Sequence, residues 1–333
     1  MNLAVALTIN PSLDFMPTVI TTDSIVSSPS RGSAIQISRT EVVRCTVQTT
    51  PEFMTTPLNT EPVVAGSTVA SRQIPERRPL DRLLSQLDQL AENSEHLIKR
   101  PFGQFTSHGQ NYSLPRYIYL GPQGGGDLIR IGIFATIHGD EPEGALALTR
   151  FVAALEKNPE LAKGYCLFLY PVCNPTGFED NTRHSRSGKD LNREFWRDSA
   201  EPEVRLLETE IWTHAFDGII TLHADDTSTG LYGYVAGAIL SENLLEPALR
   251  EAEQFLPRNR QGRIDGFDAT NGVISQCFEG VLRAPRNMKH PPFEITLETP
   301  QKTSLHRQVE AFSTALQTIL TEYRYLIAIA QNI

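Results

Sequence analysis

Hydrophobic and polar positions follow two patterns from about residue 79 onward. Three apolar runs, rich in β-branched residues and without helical spacing, predict buried strands at residues 128–137, 165–172 and 217–226. A fourth strand is predicted at residues 293–300, where apolar and polar residues alternate. Apolar residues at helical spacing predict helices at residues 80–90, 143–155, 201–216, 241–255 and 304–329. Strands that alternate with helices predict an α/β domain, with a mixed β-sheet flanked by helices.

Residues 1–78 sustain neither pattern. They are rich in Ser, Thr, Pro and Val, contain no Trp or Tyr, and carry few charges. Such a composition cannot build a core of its own, so we predict a mostly disordered N-terminal extension. Short runs at residues 35–38 and 42–47 could form strands. The predicted organisation is therefore an extension over residues 1–78 and a single α/β domain over residues 79–333.

Composition and charge exclude several classes of function. The formal net charge is −9 and the sequence pI is about 5.4, which disfavours nucleic-acid binding. No stretch approaches the roughly 20 apolar residues that span a membrane. Cys166 and Cys173 lie at the two ends of one predicted strand, too far apart for a disulfide along an extended chain. Free thiols indicate a reducing compartment, and we predict a cytoplasmic protein.

The first predicted strand is followed by His138-Gly-Asp-Glu141. Ligands of open α/β sheets usually bind at the carboxyl ends of strands. A His and a carboxylate three positions apart can converge there on one metal ion. Alone, the tetrapeptide is weak evidence, because a strand-end His is more often simply hydrogen-bonded to a nearby carboxylate.

Two later strands also end in a His or a Glu. Within residues 217–226 the apolar strand ends in His223. Two imidazoles with one carboxylate form a common zinc ligand set that leaves one position open. Glu298 lies at the carboxyl end of the last strand, where a carboxylate could act as general base and then general acid. Glu294 is the alternative on the same strand. Asp225 and Asp226, just past His223, could orient a ligand imidazole or could equally cap a turn.

The loop after residue 172 contains polar groups suited to anions. Asn192 and Arg193 offer an amide and a guanidinium, the pairing that suits a carboxylate. A second arginine of this loop, Arg183 or Arg186, could then face developing negative charge. Solvated loop arginines are the simpler interpretation, but their concentration between Asn174-Pro and Asn192-Arg193 argues against it.

Taken in order over residues 79–330, these segments resemble the zinc carboxypeptidase superfamily, which also contains the succinylglutamate desuccinylase and aspartoacylase branch. The resemblance implies that superfamily's fold and one zinc ion per chain. It assigns the zinc ligands His138, Glu141 and His223, the general base Glu298, the oxyanion-stabilising Arg183, and the carboxylate-binding Asn192 and Arg193. Arg186 competes with Arg183 and is a further candidate for substrate binding.

The resemblance implies a metallocarboxypeptidase, which hydrolyses a C-terminal peptide bond with a zinc-activated water. One alternative is an N-acyl amino acid deacylase, and another is an inactive peptide-binding homologue. Both enzymes would bind a terminal carboxylate at the same anchor. Gly177 and the Thr-Leu-Glu-Thr-Pro sequence around Glu298 are more similar to small bacterial carboxypeptidases, so the peptidase is preferred.

Two features bear on specificity. The digestive carboxypeptidases carry a mobile Tyr between the last zinc His and the catalytic Glu, whereas here only Tyr232 and Tyr234 follow His223 in that stretch. The basic residues at 283–290 could supply a cation at the floor of a substrate pocket, which would favour acidic substrates. A solvated basic loop is an equally good interpretation.

Overall fold

The computed structural model describes residues 77–236 and 239–330. These residues form six α-helices and twelve strands. The helices are α1 (Leu80–Asn93), α2 (Glu143–Lys157), α3 (Pro175–Asp180), α4 (Pro202–His214), α5 (Ile239–Ala252) and α6 (Leu305–Ala330). The strands are β1 (Leu97–Lys99), β2 (Phe102–Ser107), β3 (Gln110–Leu114), β4 (Tyr117–Leu120), β5 (Ile129–Ala135), β6 (Tyr165–Tyr170), β7 (Gly218–Asp225), β8 (Tyr232–Ala236), β9 (Arg263–Ile264), β10 (Phe267–Asp268), β11 (Val273–Ile274) and β12 (Phe293–Pro300).

Eight strands form one sheet in the order β1-β4-β6-β5-β7-β12-β8-β11. The central strands β6, β5, β7 and β12 are parallel to one another. Strand β4 is antiparallel to β6 on one side, and β8 is antiparallel to β12 on the other. The predicted α/β architecture with a mixed sheet is therefore confirmed.

Helices cover both faces of this sheet. In β5, Ile131 and Ile133 pack into one core with residues of α2, α5 and α6, whereas Phe134 packs into a second core with residues of α4. Strands buried on both faces read as continuous apolar runs, which is why the sequence pattern identifies them. The shorter strands from residue 97 to residue 120 were not predicted, because they carry no sustained apolar run.

The structure also bears on the predictions about the cysteines and the N-terminal extension. Cys166 and Cys173 are buried and free, as predicted. No helix in the described part of the chain is long and apolar enough to cross a membrane. The predicted extension lies outside the described residues except for Arg77 and Arg78, so the proposed boundary at residues 78/79 stays a prediction.

Glu203 provides a test of how burial affects stability. This carboxyl lies in the first turn of α4 and is only 2% exposed. Burial, assisted by the nearby Glu201, raises its pKa to about 7. Below the unfolded-state pKa this carboxyl is protonated in both states and costs the native state nothing. As the pH rises through about 7, the buried Glu203 carboxyl loses its proton, and its charge destabilises the fold.

Glu203→Gln should therefore raise the melting temperature at pH 8 but not at pH 4.5. The gain in unfolding free energy at pH 8 should reach up to about 3 kcal/mol, since each pKa unit corresponds to about 1.4 kcal/mol. Thermal unfolding at both pH values measures it, with the exposed Glu160→Gln as control. An equal gain at both pH values would contradict this explanation.

Candidate active site

Residues from three neighbouring strands meet at the carboxyl edge of the parallel part of the sheet. His138 follows the end of β5, His223 lies near the end of β7, and Glu298 lies near the end of β12. Glu298 is the direct cross-strand partner of His223. Because parallel strands end at the same edge, residues that are distant in sequence become neighbours here.

His138, Glu141 and His223 form the group of potential metal ligands in the described part of the chain, and their ligand atoms all lie within 4.8 Å of one another. Nδ1 of His138 is 2.7 Å from Oε1 of Glu141, and Nδ1 of His223 is 3.1 Å from Oε2. The two Nδ1 atoms are 3.2 Å apart. All three side chains are buried, so their two nitrogens and two oxygens point at a common position shielded from solvent. This donor set fits a divalent metal ion.

Asp190 supports this arrangement and was missed by the sequence analysis. Its Oδ1 lies 3.3 Å from Nε2 of His138, on the side of the ring opposite the convergent Nδ1. A carboxylate on the outer nitrogen fixes the orientation of a ligand imidazole. The signal was present in the Asp190-Leu-Asn-Arg193 motif. Asp225 instead accepts hydrogen bonds from the Thr227 backbone N–H and the Tyr232 hydroxyl, which corresponds to its turn-capping alternative.

The electrostatics of the site follow from burial of opposite charges. Burial alone would lower the pKa of His138, but Glu141 and Asp190 raise it above its ordinary value. The two histidines overcome the opposite effect of burial on Glu141 and lower the pKa of that carboxyl. For Glu298, burial and then the charge of Glu141 raise the pKa well above its usual range.

The structure separates the two competing arginines. Arg183 lines the cavity, with Nη1 3.2 Å from Nδ1 of His138 and Nη2 3.0 Å from Oδ2 of Asp190. Arg186 is directed elsewhere: its guanidinium donates to Asp180 at 2.7 Å and is held by further bonds to Glu179 and Tyr112. Only Arg183 is brought together with the metal-ligand group.

Asn192 and Arg193 lie at one wall of the cavity. Oδ1 of Asn192 accepts a hydrogen bond from the Leu282 backbone N–H at 2.8 Å, which leaves the amide nitrogen toward His223 at 3.5 Å. The Arg193 guanidinium donates to the Asn192 carbonyl and stacks over the Phe278 ring at 4.5 Å. Both side chains line the same cavity, which brings together an amide nitrogen and a guanidinium, the donor types that suit a carboxylate.

The cavity over the metal-ligand group has a volume of about 320 Å³. Its lining also includes Glu298, Tyr232 and Tyr234. The two tyrosine hydroxyls donate to Asp225 and Asp265. The only tyrosines between His223 and Glu298 are therefore wall residues of the cavity with hydrogen-bonded hydroxyls.

A smaller cavity of about 30 Å³, which we call the annex, adjoins the main one. Its lining residues Thr221, Tyr234 and Cys277 also line the main cavity. Within the basic stretch at residues 283–290, Arg283 alone lines this annex, where it donates to Cys277 Sγ at 3.2 Å. Arg286 forms an exposed ion pair with Glu279 instead. Most of the basic stretch therefore corresponds to the solvated loop.

Comparison with known proteins supports the assignment of the fold. Residues 127–259 match the succinylglutamate desuccinylase/aspartoacylase catalytic domain. A candidate metallopeptidase of known structure from Shewanella denitrificans OS217 is 26% identical, with a TM-score of 0.62, over 73% of this chain and 89% of that chain. No curated protein matches the chain in sequence.

Two metallo-carboxypeptidases share the fold at lower identity. The enzyme from Burkholderia cenocepacia is 15% identical, with a TM-score of 0.57, over 75% of this chain and 70% of that chain. The enzyme from Pseudomonas aeruginosa, in complex with (2-guanidinoethylmercapto)succinic acid, is 20% identical, with a TM-score of 0.56, over 74% of this chain and 69% of that chain. These two likenesses show the shared fold. The family match over residues 127–259 and the 26%-identical metallopeptidase support the resemblance to the zinc carboxypeptidase superfamily, and with it a hydrolase that is metallocarboxypeptidase-like or desuccinylase/aspartoacylase-like.

Proposed function

We propose that this protein is a zinc-dependent metallocarboxypeptidase that removes the C-terminal residue of a peptide. The observation that carries the proposal is the convergence, in one cavity, of a buried His-Glu-His group, an adjacent carboxyl and a carboxylate anchor. His138, Glu141 and His223 would hold the zinc ion. When bound, zinc supplies a Lewis acid that makes a water molecule more acidic and polarises a carbonyl group.

Glu298 acts as the proton carrier in this proposal. As the cross-strand neighbour of His223 it lies beside the metal-ligand group, and it lines the cavity. Its carboxylate takes a proton from the attacking water and then delivers it to the leaving amine. Burial and the charge of Glu141 raise the pKa of Glu298, which favours the protonated form that donates to the leaving amine.

Arg193 and Arg183 bind different negatively charged groups of the substrate. Asn192 and Arg193 bind the terminal carboxylate and thereby position the scissile bond. Arg183, beside His138, stabilises the oxyanion that forms from the scissile carbonyl. Arg186 takes no part in the reaction, because its donors are already occupied by acidic partners.

A deacylase for N-acyl amino acids is the second candidate function. The match of residues 127–259 to the desuccinylase/aspartoacylase domain favours it. Such an enzyme would use the same metal ligands, the same proton carrier and the same anchor. The two functions differ in what the acyl side of the cavity accepts.

Zinc content and a substrate panel test both functions together. The full chain is reconstituted with zinc, its metal content is measured, and it is assayed against short peptides and against N-succinyl and N-acetyl amino acids. Release of C-terminal residues from peptides longer than two residues supports the carboxypeptidase. Turnover confined to N-acyl amino acids would assign the deacylase, and binding of peptides without turnover would indicate an inactive homologue.

The two loop arginines should behave differently when replaced. Arg183→Ala should lower kcat by about a hundredfold, the usual cost of one oxyanion donor, and leave the melting temperature nearly unchanged. Arg186→Ala should mainly destabilise the protein, by about 3 kcal/mol, because it removes the buried cation that pairs with Glu179 and Asp180, of which only Asp180 keeps a second cation, Arg77. Steady-state kinetics and thermal unfolding of both variants measure the contrast. The reverse pattern would move the oxyanion role to Arg186.

A further inference from the structure

His138 and Glu141, two of the proposed metal ligands, lie in the short loop between β5 and α2. The Glu141 backbone N–H donates to the His138 carbonyl at 3.1 Å, and the Thr136 hydroxyl donates to the Glu141 carbonyl at 3.2 Å. These bonds close a tight turn that brings the two ligand side chains together. The carbonyl of Gly139, between the two ligands, takes its hydrogen bond from outside the loop.

The donor to this carbonyl is Arg78, a half-buried residue that lies just before α1. Its Nη2 donates to the Gly139 carbonyl at 2.5 Å, and its Nε donates to the Phe178 carbonyl of α3 at 2.7 Å. The guanidinium carbon lies 4.2 Å from the centre of the Phe178 ring. One planar, rigid fork of donors therefore bridges the loop of the metal ligands and helix α3.

The backbones on both sides of this bridge are also in close contact with α3. The Arg78 backbone N–H donates to the Glu179 carbonyl at 2.9 Å, which fixes the start of the arginine side chain. A Cβ atom at Gly139 would lie 1.9 Å from the carbonyl carbon of Gly177 and 2.2 Å from the backbone nitrogen of Phe178. Glycine permits this close approach of two backbones. The position of the loop is therefore set by its contacts with α3 and with Arg78.

The charge of Arg78 by itself would oppose the binding of a metal cation. Burial lowers the pKa of Arg78, and the negative charges of Asp140 and Glu143 act in the opposite direction, so both carboxyls lie near the guanidinium. An arginine stays protonated in a protein. Its positive charge repels a nearby cation and offsets the two carboxylates that would attract one. Any contribution of Arg78 to zinc binding must therefore come from positioning.

We propose that Arg78 is a positioning residue for the metal site. By holding the Gly139 carbonyl against helix α3, it fixes the loop in the conformation in which His138 and Glu141 converge. Arg78 does not line the cavity, so it acts only through this loop. The proposal rests on the proposed function, because it takes His138 and Glu141 to be zinc ligands. It gives a role in the site to a residue that the sequence analysis assigned to the N-terminal extension.

The zinc affinity of the full chain tests this role. Arg78→Ala should weaken zinc binding by about tenfold, the lower end of the loss expected when a group that orients metal ligands is removed. Arg78→Lys keeps a donor for the Gly139 carbonyl but loses the planar fork, so it should recover part of the affinity. Competition with a chromophoric zinc chelator measures these affinities, at a temperature at which each variant is folded. Excess zinc should restore the turnover of Arg78→Ala to near the wild-type value, because the ligands themselves are intact.

Arg116 offers a matched control, because it makes the same kinds of contact outside the cavity lining. Its Nε donates to the Arg100 carbonyl at 3.1 Å, and its guanidinium carbon lies 5.3 Å from the centre of the Phe102 ring. It also pairs with the Glu210 carboxylate at 2.6 Å. Arg116→Ala should therefore lower the melting temperature, as Arg78→Ala does, and leave the zinc affinity unchanged.

The possible outcomes separate this inference from the proposed function. If the wild type binds zinc and hydrolyses its substrates, and Arg78→Ala binds zinc as tightly as the wild type or more tightly, the positioning role is wrong and the hydrolase stands. An equal loss of affinity in Arg116→Ala would also overturn the role, because the loss would then follow from general destabilisation. A wild type that binds no zinc would overturn the proposed metal site, and the role of Arg78 with it.

Discussion

A Glu298→Gln variant should bind zinc as well as the wild type does and lose at least about a hundredfold in kcat, within the range that a general base contributes. The substitution keeps the size of the side chain and leaves His138, Glu141 and His223 intact. It removes only the group that can accept the proton of the attacking water. KM should change little, because the carboxylate anchor at Asn192 and Arg193 is separate from Glu298.

Glu294→Gln is the matched control on the same strand. Glu294 is also buried, but its Oε1 accepts a hydrogen bond from the Ala284 backbone N–H, and it lines the annex instead of the main cavity. Its kcat should stay within a few-fold of the wild type. Activity of Glu298→Gln within a few-fold of the wild type, together with a large loss in Glu294→Gln, would reassign the general base.

The second large effect should come from removing two of the three proposed metal ligands. A His138→Ala, His223→Ala double variant should bind no zinc after reconstitution and dialysis, whereas the wild type should retain about one zinc ion per chain. All hydrolytic activity should be lost with the metal. Zinc should also raise the melting temperature of the wild type and not of the variant, because an ion that binds only the native state stabilises it.

A control variant must remove two imidazoles without touching the site. His290 and His306 are both exposed, so His290→Ala, His306→Ala should retain the metal and the activity of the wild type. Elemental analysis and thermal unfolding with and without zinc measure both variants. A double variant of His138 and His223 that kept a full zinc equivalent would refute the site.

Sequence reasoning predicted most of the main elements of this fold. Strands β5, β6 and β7 are buried on both faces, so their apolar runs stand out from the amphipathic helices around them. The short strands β1 to β4 escaped prediction. Strand β2 pairs with the adjacent β3, whereas β4 pairs with β1 and β6. None of the four carries a sustained apolar run that would mark it in the sequence.

The chemical types of the site residues were also present in the sequence, since His138, His223 and Glu298 each lie where a predicted strand ends. The tertiary structure decided which of them meet. Asp190 contacts His138 only because a loop between β6 and α4 returns to the strand edge. The choice between Arg183 and Arg186 was likewise open in the sequence, because both arginines lie in one loop. It depends on Glu179, Asp180 and Tyr112, whose positions around Arg186 are set by the folded chain.

The charged residues of the cavity were also only partly predictable from the sequence. The sequence contains a basic stretch at residues 283–290 and acidic residues on both sides of it, and by itself it does not say which of them face a substrate. Folding turns Arg286 toward Glu279 and solvent. It places Asp140, Asp225, Asp226 and Asp265 in the lining of the cavity. The sequence by itself determined the chemical groups available and the strands that carry them, because both follow from local pattern. Which charges share one cavity was decided only by the tertiary structure, because that depends on strand order and loop packing across the sheet.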